Sequence, residues 1–449
     1  MKTREDKNMK KIVAGLLTFT LILSMTAGCS GKTKGTTKKN EKPAPTEPVV
    51  EIPDTPTVKR DNGKEAIFEL QNAGAGKTAM TSEELNEAYS EFIFSLMKRC
   101  AEEANGENVL ISADSILIAL EMVAAGADGE TLNQMMNTLV PGADNGAAFQ
   151  FSVDRMNSLK NDSLQIANSI WLNQARSANV YDDYLDYVVG HFDAGVSVIP
   201  FDANAVKMIN GWTEEKTKGR IKELLEDLDP NSLMVLVNAI TFDAKWQEPY
   251  EDAQVYSDVF TTGSGVTKTV PFLGSTESVY LSNDEAVGFI KAYDDGKYAF
   301  MTILPNDASL DINAFMADMT AEEYWEFWNS RETFATVQAR MPEFKSEYAI
   351  ELNNVLIDMG MSDVFDESRS DLTNLSKTNA YISKVVHKTF IEVDRAGTKA
   401  AAATAVVAVE GACMEPEDVK YVICDRPYAY AIVDMATGLP VFLGTVETV

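Results

Sequence analysis

The segment Gly397-Thr398-Lys399-Ala400-Ala401-Ala402-Ala403-Thr404-Ala405-Val406-Val407-Ala408-Val409 holds two opposed preferences. Four consecutive alanines favour helix, whereas Thr404, Val406, Val407 and Val409 favour strand. Laid out as a strand, it puts Thr398, Ala400, Ala402, Thr404, Val406 and Ala408 on one face, all small and uncharged. The other face carries Lys399, the only charge between Gly397 and Glu410. With neither proline nor internal glycine, such a segment can join a free sheet edge, and its small face can enter a crowded interior. An ordinary alanine- and valine-rich core helix or strand has the same composition, so the flanking sequence must decide.

Upstream lies Ile382-Ser383-Lys384-Val385-Val386-His387-Lys388-Thr389-Phe390-Ile391-Glu392-Val393; downstream come Asp425-Arg426-Pro427-Tyr428-Ala429-Tyr430-Ala431-Ile432 and Gly438-Leu439-Pro440-Val441-Phe442-Leu443-Gly444. Nearer the N-terminus, Thr81-Ser82-Glu83-Glu84 reads as a capping box, followed by Leu85, Ala88, Tyr89, Phe92, Ile93, Leu96 and Met97 at helical spacing. Next come Asn108-Val109-Leu110-Ile111-Ser112-Ala113-Asp114-Ser115-Ile116 and a helical Leu117 to Ala125. Leu164 to Leu172, with Ala167-Asn168-Ser169-Ile170-Trp171, reads as a buried strand. Ile209 to Ile221 reads as a helix-loop-helix with a Gly219 stop, and Leu233 to Phe242 as an apolar strand leading to Lys245-Trp246. Strands at Tyr298 to Leu304 and Phe334 to Pro342 precede a helix from Ile350 to Met359.

This order of motifs, from about Leu85 to Val446, resembles the serpins, serine protease inhibitors whose exposed reactive-centre loop inserts into their own central sheet after cleavage. The resemblance implies an α+β serpin fold of three β-sheets and about eight to nine helices. It implies a suicide-substrate inhibitor rather than an enzyme: a protease attacks the loop, an acyl-enzyme forms, and insertion outruns deacylation. Gly397, Thr398, Lys399, Ala400, Ala401, Ala402, Ala403 and Thr404 fall on the loop hinge. Family spacing from Gly397 places the reactive bond at Gly411–Ala412, with Cys413 and Met414 as alternative registers. Small residues there imply an elastase-like or subtilisin-like serine protease target, and a cysteine protease target stays open. Ser112, Ser115, Asn238, Trp246 and His387 fall on the region where the sheet opens, with Ser112 and His387 as partners of Asn238 and Trp246 where the loop enters. Ala113 stands where a proline is usual, Arg395-Ala396 where the family carries an acidic pair, and Lys399 where it carries a glutamate. A non-inhibitory serpin acting as a binding protein or decoy substrate is the alternative.

The net charge of −29 argues against a nucleic-acid partner. The first 60 residues hold 12 basic and 6 acidic side chains, leaving 27 basic against 62 acidic beyond them. Met1 to Gly28 reads as a signal peptide, with a basic start, an apolar Ile12 to Met25 and Thr26-Ala27-Gly28-Cys29 as a lipobox. Cys29 is then the lipidated residue anchoring the protein outside a bacterial membrane, 29–80 a disordered Lys/Thr/Pro-rich tether, and 81–449 the serpin domain, expected as a monomer. Cys100, Cys413 and Cys424 show no CxxC spacing, so no metal site or disulfide scaffold is indicated; two free thiols are the favoured reading of Cys413 and Cys424, with a small Cys413–Cys424 loop in an oxidising setting as the alternative. No cofactor is implied. His191 and His387 are the only histidines, and HExxH, GxSxG, Walker A and GxGxxG runs are all absent. His387, after a valine-rich run, reads as a satisfier of buried polar groups.

Overall fold

Thr81 caps the first helix by accepting from the Glu84 amide, and the Glu84 carboxylate returns to the Thr81 amide, so the capping box read from the sequence is present. The computed structural model describes residues 80–398 and 418–449. Cys29, the 1–28 and 29–79 segments, hinge residues Lys399, Ala400, Ala401, Ala402, Ala403 and Thr404, and the bond region Gly411, Ala412, Cys413 and Met414 lie outside the described residues.

The chain runs through α1 (Ser82–Glu102), β1 (Leu110–Ile111), α2 (Ala113–Ala124), α3 (Gly129–Leu139), α4 (Asn145–Leu159) and β2 (Leu164–Asn173). Then come α5 (Asp182–Phe192), β3 (Ala194–Ile199), α6 (Ala205–Lys216), β4 (Met234–Phe242), β5 (Ala244–Lys245), β6 (Val255–Thr261) and β7 (Thr267–Ser282). β8 (Ala286–Ala292), β9 (Tyr298–Pro305), α7 (Ile312–Asp318), α8 (Ala321–Asn329), β10 (Glu332–Pro342) and β11 (Phe344–Glu351) follow. The last elements are α9 (Asn353–Asp358), β12 (Val386–Val393), β13 (Gly397–Thr398), β14 (Val419–Ile423), β15 (Tyr428–Asp434) and β16 (Pro440–Val446).

Among the described residues the strands form three sheets, in an α+β arrangement with nine α-helices. A nine-stranded sheet orders β1-β16-β15-β9-β8-β7-β10-β14, with β6 on β7; a four-stranded one orders β11-β12-β13-β5; a three-stranded one orders β3-β2-β4. β15 and β16 are buried at every position, which is why they read as continuous apolar runs. β12 alternates strictly, with His387, Thr389, Ile391 and Val393 inward. Helix α1 sends Tyr89, Phe92, Leu96 and Met97 into the main core, while α6 covers β2 and β4 through an edge-to-face Trp171–Trp212 contact at 6.4 Å.

Two sequence expectations are corrected. The helix expected from Ile350 starts only at Asn353, because Ile350 and Glu351 complete the β11–β12 ladder opposite His387 and Val386. The second helix of the 209–221 unit is missing. The Asn210 carboxamide, accepting from the Leu224 and Leu225 amides and donating to the Leu225 carbonyl, satisfies groups that a helix would have paired.

Candidate functional site

β4 and β5 are one strand interrupted at Asp243, yet they belong to different sheets. β5 joins β13, which joins β12: Gly397 lies opposite Lys245, and Thr398 opposite both Ala244 and Val393. Beyond this junction β4 pairs with β2 alone among the described strands. β4 and β12 thus flank a cavity of about 580 Å³ lined by Val235 to Ala239, Val385 to Lys388, and Ser115, Ile116 and Ala119 of α2. A slot between two strands with free inner edges is a template for one more strand.

The hinge is held by its own chemistry. The Asp394 carboxylate accepts from the Ala396 and Gly397 amides, turning the chain from β12 into β13. Only glycine fits at 397: a Cβ there would lie 2.1 Å from the Ala244 carbonyl oxygen and 2.7 Å from Lys245 Cα. Thr398, 1% exposed, points inward and shares a 2.5 Å hydrogen bond with the Tyr293 hydroxyl. Thr398 is thus the one even-numbered residue of the segment among the described residues, and it faces the core.

Trp246 sits against this turn. Its amide donates to the Ala396 carbonyl at 3.1 Å, and its indole Nε1 to the Asp394 carbonyl at 2.8 Å. The indole stacks on Tyr293 with centroids 4.6 Å apart and an interplanar angle of 9°. Lys291 Nζ, paired with Glu277 at 2.9 Å, lies 4.4 Å from the Tyr250 ring and 5.7 Å from the Trp246 ring. Burial drives the Tyr293 hydroxyl far above its ordinary range, so it stays protonated and can donate.

The departure at Arg395 has its own compensation. Its Nη1 lies 2.7 Å from Asp252 Oδ1, its Nε 3.9 Å from Glu343 Oε1, and its amide donates to the same Glu343 oxygen at 3.3 Å. The cation therefore has acidic partners on neighbouring segments.

At the floor of the slot the structure corrects one expectation. Asn238 is bonded not to Ser112 and His387 but to Ser115, whose hydroxyl donates to Asn238 Oδ1 at 2.5 Å, and to Asn168, whose Oδ1 accepts from Asn238 Nδ2 at 2.6 Å. The cause is register: β2 and β4 place Asn168 directly across from Asn238. Ser112 and His387 pair with each other instead, the Ser112 amide donating to His387 Nε2 at 3.2 Å. An accepting imidazole must be neutral, and burial holds His387 down to about 4. Ser112, Ser115, Asn238 and His387 thus gather around one end of the slot, Trp246 with Gly397 and Thr398 around the other. His191 lies elsewhere, on α5, with Nδ1 3.0 Å from the Tyr187 carbonyl oxygen.

Asn168, Tyr293, Lys291 and Glu343 were not identified as site residues from sequence. Only Asn168 carried a signal, as a polar residue inside an otherwise buried strand. Cys100 and Cys424 are buried free thiols, each pushed up by desolvation, Cys100 to about 12.

A family profile described as Serpin (serine protease inhibitor) matches residues 87–449. The chain belongs to the serpin family. It is 30% identical to an uncharacterized serpin-like protein of Thermococcus kodakarensis, over 96% of this chain and 97% of that one. Against the leukocyte elastase inhibitor of Xenopus laevis it is 30% identical, over 81% of this chain and 98% of the relative. Among solved structures, the thermophilic serpin tengpin in its native state matches with TM-score 0.74 and 35% identity, covering 83% of this chain and 96% of tengpin. The same protein in its latent state matches with TM-score 0.70 and 34% identity, covering 82% and 99%.

Proposed function

We propose that this serpin is a suicide-substrate inhibitor of serine proteases with a preference for small residues, elastase-like or subtilisin-like, and that cleavage near Gly411–Ala412 releases the loop into the slot between β4 and β12. One observation carries the reading: at the top of that slot Gly397 is already paired with Lys245, and Thr398 with Ala244 on one side and Val393 on the other. Insertion then extends an existing ladder instead of nucleating one, which favours it in the race against deacylation.

The register of β13 specifies the inserted strand. Six residues on from Thr398 is Thr404; six back along β4–β5 from Ala244 is Asn238, and six back along β12 from Val393 is His387. Thr404 would therefore enter between Asn238 and His387, and Ala400 and Ala402 would precede it on the same inward face. Every residue on that face is small, as entry beside buried His387, Thr389 and Ile391 demands. A relative solved in both native and latent states supports a fold with more than one resting arrangement. The N-terminal lipobox supports presentation of the inhibitor from a bacterial membrane through lipidated Cys29, a reading that loss of palmitate label in Cys29→Ser tests.

Incubation with pancreatic elastase followed by denaturing electrophoresis tests the inhibitory reading. The expected result is a complex that survives SDS, together with a C-terminal fragment beginning near Ala412. Ala402→Arg, charged on the inward face, should be cut without forming complex. Wild type cut without complex would make the protein a decoy substrate instead.

A further inference from the structure

The two most exposed of the described large apolar side chains lie on neighbouring strands of one sheet: Phe334, 96% exposed on β10, and Tyr421, 64% exposed on β14. Phe334 has φ +67°, a left-handed conformation that residues with a bulky side chain rarely adopt. It sits in the register shift between Thr333 and Val337 where β10 leaves its ladder with β7. A bulky apolar residue held in a disfavoured conformation, outside any packing, is a feature that folding alone does not explain.

Its position says what it meets. β14 runs parallel to β10 with Val419 opposite Thr336 and Tyr421 opposite Gln338, so Phe334 lies past the end at which the reactive loop enters β14. Ala412 is six residues before Asp418, which limits the proposed scissile bond to about 20 Å from the start of β14. A protease of some 220 residues has a radius of gyration of about 17 Å, so an enzyme seated on that bond is large enough to reach this end of the sheet.

We propose that Phe334 and Tyr421 form a second contact for the target protease, separate from the loop, which takes an apolar patch on the rim of the enzyme's active-site cleft. The inference rests on the inhibitory reading above. An enzyme held there docks before any bond is broken, so the contact speeds encounter and does not affect sheet insertion. Glu332 and Asp418, the latter paired with Lys420 at 2.6 Å, give the patch a charged border.

The test uses the full chain, its Phe334→Asn and Tyr421→Ser variants, and pancreatic elastase whose nucleophilic serine is replaced by alanine. Asparagine accepts left-handed φ, so Phe334→Asn should melt no lower than wild type. Its affinity for the inactive elastase should fall about tenfold, and Tyr421→Ser should weaken binding in the same direction. Unchanged affinity, no measurable affinity of wild type, or a melting loss that accompanies the weakened binding would each overturn the contact. Faster loop cleavage of Phe334→Asn by unrelated proteases would also overturn it, by showing that the patch holds the loop itself. If active elastase cuts wild type without forming complex while Phe334→Asn still loses affinity, the contact stands and the trapping reading fails.

Discussion

Gly397→Ala tests the hinge geometry with a single methyl group. An added Cβ would stand 2.1 Å from the Ala244 oxygen, where ordinary contact begins near 3.4 Å, and both near neighbours are backbone that cannot turn aside. The hinge must therefore withdraw by more than about 1 Å, which separates β13 from β5 and from Val393 and breaks the Tyr293–Thr398 hydrogen bond. Three hydrogen bonds at about 1 kcal/mol each amount to about 3 kcal/mol. If insertion starts from this paired hinge, its first step slows on the order of a hundredfold. Deacylation, set by the protease, is unchanged, so the variant becomes mostly substrate. The assay is titration of pancreatic elastase by residual activity, with melting of the uncut variant alongside. The account predicts many inhibitor molecules consumed per enzyme and a lower melting temperature. Wild-type stoichiometry and melting in Gly397→Ala would refute the claim that the hinge is pre-paired.

Three further outcomes follow from titratable and charged side chains at His387, Glu121 and Arg395. His387 has a folded pKa depressed from 6.5 to about 4, so the unfolded chain binds more protons between those values and stability falls as pH drops through that window; about 3 kcal/mol should be lost by pH 4 in denaturant melts, and much less in His387→Gln. Glu121, buried, with one oxygen on Ser152 and its other without a protein partner, is pushed up to about 8, so its stabilising proton is lost as pH rises through 8. Glu121→Gln, which keeps the Ser152 contact, should therefore exceed wild type in stability at pH 9 and show a flatter pH profile in the same melts. Arg395→Glu sets a third carboxylate beside Asp252 and Glu343, but at a half-exposed site; a loss of about 1 kcal/mol, roughly 2 °C by calorimetry, is expected, with recovery in Arg395→Lys.

Much of the fold was legible because its signals are local. The Thr81 to Glu84 box, the helical spacing from Leu85 to Met97 and the strands at Leu164 to Leu172, Leu233 to Phe242 and Tyr298 to Leu304 each follow from a few neighbouring residues. The order of those motifs then carried the family. What escaped depended on register and on long-range contacts. Nothing near Asn238 in the chain announces Asn168, which reaches it only across the β2–β4 pairing. Tyr293 and Lys291 gain their roles solely by lying beneath Trp246. Arg395 looked like a defect in the hinge until Asp252 and Glu343, 143 and 52 residues away, came into contact. The helix expected at Ile350 failed because cross-strand pairing overrode local propensity.

In the proposed trap the uncut molecule stores free energy that the inserted strand releases. β4 offers nine residues of free edge and β12 lies across the slot, so filling it adds on the order of 10 hydrogen bonds at about 1 kcal/mol each. Calorimetry before and after nicking between Glu410 and Met414 reads this directly. A rise in melting temperature of at least about 10 °C is predicted; a nicked protein that melts where the intact one does would contradict it.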